Sequence, residues 1–85
     1  MRTRVETQAE TEIIQFLARN PSPDQIIAFH PSSAVEDRAY ELVEAERERE
    51  LTEEEERELE TYLYLEHFMR MLKAETHLQL EKRPA

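Results

Sequence analysis

Neither glycine nor cysteine occurs in this 85-residue chain, tryptophan is missing, and apolar runs never exceed a few residues. Without cysteine there is no disulfide and no thiolate metal site. Without glycine the usual occupant of positive-φ turns, β-bulges and phosphate-cradling loops is gone, which disfavours β-hairpins, Rossmann folds and P-loops together. No stretch approaches the roughly 20 apolar residues that span a bilayer. The start, Met1-Arg2-Thr3-Arg4-Val5-Glu6, has no apolar segment behind its basic residues and does not read as a secretory signal, so a cytoplasmic protein is expected.

What remains is dominated by good helix formers: Glu, Leu, Ala, Arg and Gln. A domain this small buries a modest share of its surface, and disulfides and thiolate metals are excluded. Oligomerisation or a partner is then the expected supplement to its stability. Twenty acidic residues face eleven basic ones, a net charge of −9. The imbalance is local. Residues 36–60 hold thirteen Asp/Glu against four Lys/Arg, a net of −9 in that segment alone, while residues 67–85 are slightly basic. Direct nucleic-acid binding is not expected of such a surface. A basic protein is the better partner, since an acidic surface steers it inwards; the plainer reading is that the charge keeps a short helical protein soluble.

Four helices are expected, in one domain spanning 1–85 with frayed ends at 1–6 and 82–85. The first runs from about Thr7 to Arg19, with Ala9, Ile13, Phe16 and Leu17 on one stripe and Ile14 at its edge. Asn20-Pro21 stops it, because proline biases the preceding residue out of the helical region. Ser22 caps a short helix with Pro23 at its first position, reaching about Phe29. After His30-Pro31-Ser32, the pattern Ser33-Ala34-Val35-Glu36 reads as a capping box with Ser33 as N-cap. That third helix runs to about Glu48, with Val35, Ala39, Leu42 and Val43 as a narrow apolar stripe. Thr52-Glu53-Glu54-Glu55 is a second capping box, and a long last helix follows to about Leu80.

The joint at Arg49-Glu50-Leu51 contains neither glycine nor proline, so residues 34–80 read either as one rod or as two helices. A break is preferred, because Thr52 is a strong cap and a poorer interior residue. The expected fold is all-α: a helical hairpin (about 33–50 and 52–80), two shorter N-terminal helices packed on it, and an oligomeric assembly.

Placed at 100° per residue, the last helix separates into two faces. Tyr62, Tyr64, Leu65, Phe68, Met69, Met71 and Leu72 cover an arc of about 180°, with Leu78 and Leu80 further on. Glu66, Arg70, Lys73 and His77 form a polar strip opposite. Leu59 and Leu63 fall on that polar side and are expected to meet Leu42 and Val43 in the hairpin. The arc suits an ordinary core first, and a protein interface as the sharper reading. The strip is likewise an ordinary solvated face first, with Glu66 and Arg70 in the favourable i, i+4 order, and an orienting surface for a partner second.

No catalytic residue, metal site or cofactor is expected. His67 and His77 stand about 80° apart around the helix and about 15 Å along it, too far to share a metal. No Glu-x-x-His or His-Glu-x-x-His pattern occurs, and Ser22, Ser32 and Ser33 are explained as caps and turn formers. The chain therefore does not read as an enzyme.

Three stretches, SPDQIIAFHPS (22–32), LTEEE (51–55) and ETYLYLEHFMRMLKA (60–74), resemble a group of short bacterial helical proteins, frequent in cyanobacteria and regarded as antitoxin-like. The resemblance covers about residues 22–74, and Tyr62-Leu63-x-Leu65-Glu66-His67 with Lys73-Ala74 is its most specific part. It implies a small regulatory protein that neutralises a nuclease toxin, and it brings no catalytic residues. Those proteins tend to have glycine or proline at the hairpin turn, where this chain has Arg49-Glu50. The alternative is a self-associating structural protein, a homodimer that uses up the apolar arc itself.

Overall fold

A computed structural model describes residues 7–82; of the fraying expected at 1–6 and 82–85, all but Lys82, the C-cap of the last helix, lies outside them. Four helices follow one another: α1 (Gln8–Ala18), α2 (Pro23–Ala28), α3 (Ser33–Glu48) and α4 (Glu53–Glu81). There is no strand among the described residues, and none of the helices is long and apolar enough to cross a membrane.

Each boundary has a local cause. Thr7 caps α1 and Ser22 caps α2, each in a reciprocal box with Glu10 and Gln25. Thr7, expected as the first residue of the helix, is thus its cap, and Ser22, expected as a cap alone, gains Gln25 as a box partner. Asn20, just past the end of α1, sits at φ 55°, the left-handed position usually given to glycine. Asparagine tolerates it better than most residues, and so closes the helix in a glycine-free chain.

The N-cap of α3 is Ser32, not Ser33. The Val35 amide donates to the Ser32 hydroxyl oxygen at 3.3 Å, while the Ser32 amide and hydroxyl donate to the Glu12 carboxylate at 3.0 and 2.6 Å. Glu12 thus plays, from α1, the part that an N3 glutamate plays inside a capping box. That long-range partner moves the start of the helix by one residue. Partial burial works to raise the Glu12 carboxyl, but the hydrogen bonds from Ser32 and Gln8 outweigh it and hold the carboxyl below its ordinary value.

α3 and α4 form the hairpin. Arg49 is fully extended (φ −161°, ψ 174°), so the joint needs no positive-φ residue. Its guanidinium donates two parallel hydrogen bonds to Glu55 at 2.9 and 3.0 Å, and the Thr52 amide donates to the same carboxylate at 2.9 Å. Together these hold Glu55 down to about 2, the Arg49 bond contributing most. The break expected at 49–51 is present, fastened by charge instead of by a glycine turn.

The helices α1, α2 and α3 each pack against α4. Ala9, Val35, Leu42, Leu59 and Tyr62 form the central cluster, with Ala39, Val43, Leu51 and Leu65 around it. Ile13 and Met69 are also buried. The Phe16 and Phe29 rings, 4.5 Å between centroids, join α1 to the end of α2, and Lys73 on α4 donates to the Phe29 carbonyl. The result is long and thin, 54 × 34 × 19 Å, and its 15.6 Å radius of gyration exceeds the roughly 12 Å of a compact chain this size.

Candidate partner-binding surfaces

The two flanks of the hairpin differ in chemistry. On one, the Arg38 guanidinium donates to both oxygens of Glu58 at 2.8 and 2.9 Å, and the Tyr62 hydroxyl donates to the same carboxylate at 3.1 Å. The fork raises Arg38 and lowers Glu58 from their ordinary values. Burial, then the hydrogen bond to Glu58, pushes the Tyr62 phenol up to about 12. This flank is closed.

The other flank opens into a cleft of about 590 Å³, to which α1, α3, α4 and the end of α2 all contribute. Its floor is the core itself, including Ile13, Val35, Leu59 and Met69, and its walls carry Tyr40 and Leu63, 67% and 54% exposed. Leu59 packs with Leu42 and Val43 as expected, but Leu63 does not share that burial. It stands at the edge of the cleft, because α3 docks nearer the Leu59–Tyr62 line. Glu36 and Glu66 on one hand, and His30, Arg70 and Lys73 on the other, give the cleft a mixed rim. Tyr40 was not foreseen as a surface residue of interest. It lies off the narrow stripe of α3, and an aromatic off the stripe is the signal that would have found it.

The seven-residue arc on α4 divides. Tyr62 and Met69 are buried and Leu65 and Leu72 half-buried, so these four belong to the core side. Tyr64, Phe68 and Met71 face outward and are 65%, 37% and 59% exposed, with Leu78 beyond them at 48%. The arc is wider than three shorter helices can cover, so one edge stays in solvent. The polar strip divides as well. Glu66 and Arg70 pair at 3.3 Å in the open and His77 is exposed, whereas Lys73 turns in, half-buried, towards the Phe29 carbonyl. A lysine at a helix C-terminus meets the negative end of the dipole, which is why it leaves the strip.

A second depression, about 640 Å³ and shallower, lies between the Pro21–Pro23 corner and the last turns of α4. Among the described residues no group of three or more His, Asp or Glu is placed to hold a metal ion. No family model, curated protein or solved structure matches the chain.

Proposed function

We propose that this chain is a small, non-catalytic binding module that captures a basic protein in the cleft on the open flank of the α3–α4 hairpin. It would act in the cytoplasm without a cofactor. The observation that carries the reading is the pairing of an apolar cleft, with Tyr40 and Leu63 exposed on its walls, and a neighbouring segment of net charge −9. Acidic charge accelerates and orients the approach of a basic partner, and an aromatic-walled apolar centre supplies the short-range binding. Neutralisation of a nuclease toxin, implied by the sequence resemblance, is the specific form of this function that we favour. A nuclease surface that holds phosphates is basic, and masking it needs an acidic protein, not a catalyst.

Co-expression with the products of the adjacent genes tests this directly. A complex that survives purification, weakens as ionic strength rises and is lost in Leu63→Glu is expected. Failure of both neighbouring products to co-purify would remove the toxin-neutralising form. A complex unaffected by Leu63→Glu would remove the cleft.

A further inference from the structure

The outward edge of α4 is a surface separate from the cleft. Tyr64, Phe68, Met71 and Leu78 fall at spacings of four, three and seven, within about 80° of one another on the helix and well away from the buried Leu59–Tyr62–Met69 side. This is the repeat of a helix that seats a second helix, and α1, α2 and α3 all lie on other faces. The chain itself buries only seven apolar residues among those described, so it has reason to bury more.

Charge indicates which helix fits. Residues 53–60 of α4 hold six glutamates and one arginine, whereas residues 70–82 hold Arg70, Lys73 and Lys82 against Glu75 and Glu81. A parallel pair would set the glutamate-rich ends side by side. An antiparallel pair sets each against the basic end of the other. The apolar residues have the matching symmetry. Tyr64 and Leu78 are each seven residues from Met71, and Glu60 and Lys82, on the same edge, are each eleven residues from it.

We propose that two copies of this chain pair antiparallel through the outward edge of α4, with the two-fold axis at Met71. Met71 then meets its own counterpart, Tyr64 meets Leu78 of the partner, and Glu60 meets Lys82 of the partner. Such an isologous interface doubles every contact away from the axis and leaves both clefts open.

The cysteine-free sequence makes the geometry testable in the full chain. Sedimentation equilibrium should give twice the chain mass, and Met71→Arg should weaken the association at least 100-fold while circular dichroism stays helical. Under mild oxidation Met71→Cys should cross-link to itself. Tyr64→Cys and Leu78→Cys should cross-link when mixed but not alone. A monomer at all concentrations, or a dimer untouched by Met71→Arg, overturns the proposal. Self-cross-linking of Tyr64→Cys and of Leu78→Cys separately means a parallel pair, and also overturns it. Leu63→Glu in the cleft should leave the dimer intact, and dissociation by that variant would place the interface in the cleft instead. Loss of the dimer and loss of the basic partner are thus read by different variants.

Discussion

The closed and open flanks of the hairpin are built on the same two helices and the same buried row, yet one is finished and the other is not. Arg38, Glu58 and Tyr62 satisfy one another on the closed flank. Tyr40 and Leu63, at corresponding places on the open flank, leave large apolar surface in water. The closed flank serves the hairpin's own geometry, because a bidentate guanidinium–carboxylate fork fixes the register of α3 against α4. The open flank is poorly explained by stability, since large apolar side chains left in water do not stabilise a monomer. It is the surface on which we propose that a partner docks.

The comparison breaks most severely if the shared floor is removed. Leu42→Ala deletes the most buried side chain of the cluster and should cost about 3 kcal/mol, a large share of the stability of a chain this size. Urea denaturation followed by circular dichroism measures it. Loss on the closed flank should be smaller. A double-mutant cycle on Arg38→Met and Glu58→Gln should give a coupling of about 0.5–1 kcal/mol, because Arg38 is partly exposed to solvent.

Acid sharpens the contrast further. Glu12, Glu55 and Glu58 have carboxyls held below their ordinary values in the folded chain. A group so depressed contributes stability that is present above its unfolded value and lost as pH falls through the folded one. The melting temperature should therefore fall from about pH 4.5 towards about 2, the value reached by Glu55, and Arg49→Gln should flatten the lower part of that decline. A decline of unchanged shape in Arg49→Gln would show that the joint does not depend on this pair. The smallest effect belongs to the open flank. Leu63→Glu should change stability by less than about 0.5 kcal/mol while abolishing partner capture, which separates a binding residue from a packing one.

Much of this architecture was legible in the residues. Thr52 and Ser22 marked helix starts correctly because a cap is a local device, read from four consecutive positions. The break before Thr52 followed for the same reason. Ser32 displaced Ser33 because Glu12, twenty residues away, rewards it, and no local pattern contains that residue. The arc of α4 shows the same limit. Helical spacing puts Tyr62 and Tyr64, and Met69 and Met71, towards opposite edges of one wide arc, but only the docking of α1, α2 and α3 decides which edge is buried. Lys73 left its strip for the Phe29 carbonyl, a partner forty-four positions away.

That last bond has a kinetic consequence. The Glu12–Ser32 and Arg38–Glu58 links each close a loop of twenty residues, and either can form without the other. Lys73, beyond the second loop on α4, reaches Phe29 inside the first across forty-four residues. Closing a longer loop costs more chain entropy, though the cost grows only slowly with length. The hairpin should therefore assemble first and α2 should dock last, so that in hydrogen exchange the amides of α2 open before those of α3.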